Sequence, residues 1–254
     1  MSEMVDSKVI TNVSNPFNNA PVYYIKKTLS TMKLAREYCS SSVSPSILPG
    51  TVFMAGMQTA GRGRVPGRVW EAVKDKNLLF TLVLTKAEMG SNPLSIVIGL
   101  GLSKYLENYH QLKPEIKWPN DIYINGKKIA GIIIESRKGL FNIGIGININ
   151  QTEFPESILD SSTSLSIEID NEFDLFLELN LILLELKAVL SNSSWQRAIN
   201  SRLYNIGKKV SVSTGIPGKE KNTTGIVEGI GSAGQLLLKS KGTLKEIYSG
   251  EVTL

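Results

Sequence analysis

Between Gln58 and Trp70 the chain reads Gln-Thr-Ala-Gly-Arg-Gly-Arg-Val-Pro-Gly-Arg-Val-Trp. Three glycines, three arginines and a proline rule out a helix interior, and so much charge resists burial, so the stretch is a loop between two apolar runs. Gly61 and Gly63 let backbone N–H groups approach a ligand, while Arg62 and Arg64 offer planar forks that match carboxylate and phosphate oxygens. The chemistry this suits is anion binding. Solvated loops and flexible nucleic-acid-binding segments use the same residue types, so the loop alone leaves those readings open. Gly56 to Gly61 has the spacing of a nucleotide P-loop, but Arg62-Gly63 stands where Lys-Ser/Thr is required, and the Mg-binding hydroxyl is missing.

A second group of polar side chains lies where a core strand should have none. Lys117, Asn120 and Asp121 interrupt an apolar run over 116–124, and Lys128 follows the Asn125-Gly126 turn in a segment otherwise bound for the core. Each alone could face solvent from a strand; together they predict a pocket. Ser30-Thr31 precedes Met32, Leu34, Ala35 and Tyr38 at helical spacing. A helix N-cap explains this fully, although the free N–H groups of a helix start also suit a polar ligand group.

The elements that must hold these groups can be read from periodicity. Val22-Tyr23-Tyr24-Ile25 predicts a strand, and 51–56 and 77–85 predict strands flanking the Gly-Arg loop, the second apolar enough for burial on both faces. Residues 93–109 predict a buried helix whose Gly99, Gly101 and Ser103 permit close packing. Residues 116–124 and 127–135, joined by Asn-Gly, predict a hairpin of two strands. Phe141 to Asn148 adds a strand whose glycines let another backbone or a ligand lie close. Residues 173–190 predict a core helix with Glu178, Glu185 and Lys187 off its apolar face, and 195–204 a further helix. From Lys208 short alternating strands predict a small β-barrel, within which Gly229 to Gly234 is a turn, because no helix follows it as a dinucleotide fingerprint requires.

Composition limits the alternatives. With 254 residues, 42% hydrophobic and 20% charged, the chain is that of a globular protein of one large domain, or one large and one small. A net charge of +5, from 28 Lys+Arg against 23 Asp+Glu, is too mild for a dedicated nucleic-acid binder. The one cysteine, Cys39, excludes intramolecular disulfides and Cys-based zinc sites and fits a reducing compartment. The one histidine, His110, excludes a histidine-centred metal cluster, and its polar neighbours predict a surface position. Residues 1–20 read as flexible, with no secretory signal, and Ser-rich residues around 43 as a connector. No apolar run reaches the ~18 residues of a membrane span, so no membrane partner and a cytoplasmic location are expected.

Three motifs, in order, resemble the biotin protein ligases, also called holocarboxylase synthetases: Gln-Thr-Ala-Gly-Arg-Gly-Arg with Gly67-Arg68 and Trp70; Lys-Trp-Pro-Asn-Asp with Gly-Lys-Lys-Ile-Ala-Gly-Ile; and Ile-Gly-Ile-Gly-Ile-Asn. The resemblance runs from about Tyr23 to the C-terminus. Two departures stand out: Ser30-Thr31-Met32 replaces the usual Ser-Thr-Asn, and Val65-Pro66 replaces a single residue, lengthening the loop before Trp70. The resemblance implies an α+β fold, a mixed sheet with helices in a class II aminoacyl-tRNA-synthetase-like catalytic domain over 21–205, followed by an SH3-like β-barrel over 206–254.

It further implies an ATP-dependent ligase that forms biotinyl-5'-AMP and passes biotin to a lysine of a biotin carboxyl carrier domain, as a monomer or homodimer. Biotin would meet Ser30, Thr31, Met32, Gln58, Gly61, Arg62, Gly63, Arg64, Lys128 and Gly131. Mg-ATP would meet Arg62, Arg64, Trp70, Lys117, Asn120, Lys128 and Asn148, with Mg2+ carried by the nucleotide and no fixed protein metal site. Arg62, Lys128, Asp121 and Lys117 would be catalytic. Relatives that also repress transcription carry an N-terminal helix-turn-helix, for which the short polar start leaves no room, so no nucleic-acid partner is expected. A lipoate or octanoyl ligase would carry an Arg-Ser-Gly-Gly type motif in place of Gly-Arg-Gly-Arg. A non-enzymatic nucleic-acid binder would leave Lys-Trp-Pro-Asn-Asp without a purpose.

Overall fold

The computed structural model describes residues 7–40, 48–89, 93–192, 194–216 and 218–253; the connector expected near 43 falls outside these. In chain order the first part comprises β1 (Lys8–Val9), β2 (Val22–Ile25), α1 (Thr31–Ser40), β3 (Val52–Ala55), β4 (Asn77–Thr85), α2 (Lys86–Met89) and α3 (Leu94–His110). Next come β5 (Pro114–Lys117), β6 (Asp121–Ile124), β7 (Lys127–Arg137), β8 (Leu140–Asn148), α4 (Leu165–Ile169), α5 (Leu175–Leu190) and α6 (Trp195–Asn200). Strands β1 to β8 form one sheet in the order β1-β2-β3-β4-β8-β7-β6-β5. It is mixed, because β2 and β3 run parallel while the other neighbours are antiparallel.

Alternation along β8 sorts the two faces. Ile143, Ile145 and Ile147 enter the main core, which α3 and α5 complete with residues such as Leu102, Leu179, Leu183 and Leu186. Each fully buried aliphatic side chain there contributes about 1.5–3 kcal/mol. Gly101 allows this contact, since a Cβ there would lie 2.7 Å from Leu186 Cδ2. The opposite face is partly covered by α1, where Ala35, Phe53 and Val83 form a smaller cluster. Beyond α1 that face lies open as a cleft.

Four expectations need correction. Residues 7–20 are not loose: β1 pairs with β2, Phe17 is fully buried, and Asn15 donates to the carbonyls of Ala20 and Gly50 at 2.9 and 2.8 Å. A polar segment can pack when its side chains hydrogen-bond to backbone. The run over 116–124 is two antiparallel strands, β5 and β6, which turn through Trp118-Pro119-Asn120 and pair Lys117 with Asp121. The helix expected over 195–204 stops at Asn200. Finally, His110 is not at the surface and Glu178 is not off the buried face of its helix. Their side chains are 7% and 3% exposed, and His110 Nε2 lies 2.8 Å from Glu178 Oε2. Tyr105 donates to the same carboxylate, and burial together with that charge raises its pKa far above the tyrosine range.

The last five strands are β9 (Lys209–Thr214), β10 (Lys221–Ile230), β11 (Leu236–Ser240), β12 (Thr243–Ile247) and β13 (Glu251–Thr253). They form a separate antiparallel sheet in the order β12-β11-β10-β9-β13. The chain entering it runs along the free side of β5: Ile116 N–H donates to Arg202 O at 2.7 Å, and Tyr204 N–H to Ile116 O at 3.0 Å. Trp118 Nε1 donates to Gly234 O at 3.0 Å, fixing the β5–β6 turn to the second sheet. Among the described residues no helix is long and apolar enough to cross a membrane.

Candidate functional site

The floor of the cleft is made by absent side chains. Gly131 on β7 and Gly146 on β8 are direct partners, as are Ile133 and Gly144 one step along. A Cβ on Gly146 would lie 2.5 Å from Trp70 Cε2, one on Gly131 2.9 Å from Trp70 Cζ3, and one on Gly144 2.8 Å from both Cγ and Sδ of Met32. The glycines of 131–146 therefore seat two side chains, an indole and a thioether. The cleft they define has about 510 Å³ of empty space, and Ser30, Thr31, Gln58, Arg62, Arg64 and Lys128 are among its lining residues.

At one end, the start of α1 is oriented by a polar chain. Thr81 Oγ1, fully buried on β4, donates to Thr31 Oγ1 at 2.9 Å, and Thr31 gives its N–H and hydroxyl to Gln58 Oε1 at 2.8 and 3.1 Å. With its oxygen so engaged, Gln58 keeps Nε2 as a donor toward a ligand. Met32 is 5% exposed and presents sulfur where a carboxamide would offer polar atoms.

The Gly-Arg loop is a short hairpin. Arg62 and Val69 form an antiparallel bridge, Gly63 N–H donates to Arg68 O at 2.7 Å, and Gly67, at φ +84°, makes the turn. Gly61 is buried at its root, where Trp70 N–H reaches Gly61 O at 3.2 Å. The arginines spread from it in three directions: Arg62 to Glu135, Arg64 to Asn120 Oδ1 at 3.2 Å and Gly250 O at 2.7 Å, and Arg68 to both oxygens of Glu251 at 2.6 and 2.9 Å.

Opposite the hairpin stand Lys128 and Asp121. Their Nζ and Oδ1 are 2.7 Å apart, and the ammonium also lies 5.5 Å from the Trp70 ring centroid. A register shift between Ile122 and Tyr123 pairs Tyr123 with Lys128 and Asp121 with Gly131. Asn120 is held by Ile132, donating from Nδ2 to Ile132 O at 2.9 Å. Behind Trp70 a second hollow of about 550 Å³ lies between the hairpin, the 117–121 turn and β13. Lys117 borders it, 5.0 Å from the Tyr123 ring centroid. Burial lowers the pKa of Lys117, opposed by Asp121 and Glu251, and burial with Asp121 raises that of Tyr123 to about 12.

The structure thus brings Ser30, Thr31, Met32, Gln58, Arg62, Gly63, Arg64, Trp70, Asn120, Asp121, Lys128 and Gly131 to one cleft, with Gly61 at the loop root and Lys117 in the adjoining hollow. Asn148 is the exception. It sits 5% exposed at the end of β8, donates to Thr163 O at 3.0 Å, and lines neither space. Sequence reasoning did not single out Thr81, Glu135 or Glu251. Thr81 and Glu135 look like ordinary strand residues, and only the register of β4 and β7 shows what they face. Among the described residues no group of three His, Cys, Asp or Glu side chains could hold a metal ion.

A deep glycine-floored cleft on a mixed sheet, roofed by a cationic hairpin, defines a class. The chain belongs to the Biotin/lipoate A/B protein ligase family, whose model matches residues 24–150, and it is a ligase of that family. Within the family its likeness is to the biotin protein ligases. It is 31% identical over 236 residues to the Bacillus subtilis protein named bifunctional ligase/repressor BirA, covering 89% of this chain and 71% of that one. It is 29% identical over 222 residues to the biotin--[acetyl-CoA-carboxylase] ligase of Mycobacterium tuberculosis, covering 83% and 81%. The solved biotin protein ligase from Aquifex aeolicus in complex with biotin and ATP superposes with a TM-score of 0.78 at 32% identity, covering 91% of this chain and 97% of that one.

Proposed function

We propose that this ligase joins biotin to AMP using Mg-ATP and then passes the biotinyl group to a lysine of a biotin carboxyl carrier domain. The observation that carries this reading is the convergence of a cationic hairpin and the Lys128–Asp121 pair on one glycine-floored cleft. The Aquifex relative holds biotin and ATP. At the α1 end, Ser30, Thr31 and the free Nε2 of Gln58 suit the neutral ureido group, with Met32 against the apolar rings. Arg62, Gly63 and Arg64 suit the carboxylate and α-phosphate, Trp70 the base, and Lys117, Asn120 and Lys128 the phosphoryl oxygens. Asn148, whose buried Oδ1 has no partner, lines neither hollow, and a nucleotide contact from it rests on the resemblance alone.

A carboxylate oxygen of biotin attacks the α-phosphorus, and the bond to pyrophosphate breaks. Negative charge grows on the phosphoryl oxygens, where the guanidinium groups and Lys128 lie. In the second step the carrier's neutral amine attacks the acyl carbon and AMP leaves. Asp121 takes the amine's proton, and the hairpin keeps water from the mixed anhydride until then. Mg2+ travels with the triphosphate. In this reading the C-terminal sheet takes the place of the family's SH3-like module and serves the acceptor or nucleotide side, which is supported by Glu251 and Val252 of β13 lining the second hollow.

Incubating the full chain with biotin, Mg-ATP and a carrier domain, then probing the carrier for biotin, tests the proposal. Biotinylation that needs both substrates supports it; transfer of lipoate or octanoate in place of biotin, or no transfer, refutes it. The reading also predicts no sequence-specific DNA binding, and a tight, salt-resistant operator complex would count against it.

A further inference from the structure

Glu135 belongs to none of the motifs, and the reaction above does not use it. It stands on β7 two residues beyond Ile133, on the same face of the sheet as Gly131 and the cleft floor. One carboxylate oxygen takes Arg62 Nη2, and the other lies 3.7 Å from Arg36 Nη1 on α1. Glu135 is 27% exposed and Arg62 48% exposed, so the acid is the more fixed member of the pair. Its strand is paired with β8 continuously from Ala130 to Arg137, whereas Arg62 rides on the hairpin.

The carboxylate therefore ties two walls of the cleft together, the helix that begins at Thr31 and the hairpin that roofs the site. A pair this exposed is screened by solvent and can be exchanged, and a guanidinium has donors enough to hold two acceptors at once. An anion in the cleft competes with Glu135 for Arg62 or shares it.

We propose that Glu135 is the positioning residue for Arg62, anchoring the hairpin to α1 in the ligand-free protein and aiming the guanidinium when an acyl-adenylate is bound. The second half of this rests on the ligase reaction proposed above; the first does not.

The test uses the full chain. Wild type, Glu135→Gln and Glu135→Asp are compared without ligand by hydrogen exchange over residues 61–70. Glu135→Gln is expected to speed exchange there about fivefold, Glu135→Asp less, while the β7–β8 amides that report the fold stay unchanged. Biotinyl-adenylate is then formed in place from biotin and Mg-ATP and its release timed. Glu135→Gln is expected to speed release about tenfold when Arg62 is present and to have no effect in an Arg62→Gln background. Unchanged exchange in Glu135→Gln, or an equal effect on release in both backgrounds, overturns the proposal. If the wild type makes no adenylate, the ligase reading fails, and the exchange comparison still decides whether Glu135 anchors the hairpin.

Discussion

A methyl group on Gly146 would lie 2.5 Å from Trp70 Cε2, so Gly146→Ala must push the indole off its seat. The expected result is a KM for ATP raised about tenfold with the KM for biotin little changed, read from steady-state kinetics. Equal shifts in both constants would show that Trp70 does not serve the nucleotide end alone. Lys128→Ala leaves Asp121 without its partner at 2.7 Å and is expected to slow adenylate formation at least about tenfold. Adenylate made at the wild-type rate would remove Lys128 from the chemistry. Cys39 gives a pH prediction. Burial raises its thiol pKa from 9.0 to about 11, so the neutral thiol persists to higher pH than that of an exposed cysteine. Alkylation at pH 8, followed by mass spectrometry, should be about a hundredfold slower than for an unperturbed thiol and should keep rising as pH passes 9. A plateau near pH 9 would contradict the burial argument.

At the scale of elements, α3 and α5 are joined by the cluster of Tyr105, His110 and Glu178. Glu178→Ala would remove the carboxylate that Tyr105 and His110 share, leaving them only their mutual contact at 3.1 Å, and is expected to cost about 1–3 kcal/mol in chemical denaturation. Turnover per folded molecule should hold, since the cluster lines neither hollow. A loss below ~0.5 kcal/mol would mean the cluster is wet or rearranged. This cluster also shows what the sequence could not convey. Helical periodicity marks which positions are apolar, and it places Glu178 outside because nothing local records a partner 68 residues away. β4 was legible to the residue because apolar residues flank its one central threonine on both sides, and the β6–β7 turn because Asn125 and Gly126 both take positive φ. The β5–β6 turn was hidden, since Lys117 and Asp121 read as polar interruptions of one strand when they face each other across two. Most of the cleft was legible because arginines, lysines and glycines in a loop have few structural uses. Thr81 and Glu135 became visible only with the strand register.

At the scale of the whole molecule, the two sheets meet beside the cleft, and contacts from β13 and the residue before it end on the hairpin arginines. Arg68 and Glu251 are 59% and 34% exposed, so their pairing contributes at most about 1 kcal/mol and serves to place the loop. More consequential is the path of the chain after α6, which lays residues 202–204 beside β5. A truncation after residue 200 would not simply detach a module. It would uncover β5, the outermost strand of the larger sheet, and bare its free amides and carbonyls. Such a fragment is expected to self-associate on size-exclusion chromatography under conditions that leave the full chain unaggregated, and a well-behaved monomeric fragment would contradict this. The small sheet and its leader thus act as a selvedge: whatever else they bind, they keep the larger fabric from unravelling or sticking to its neighbours.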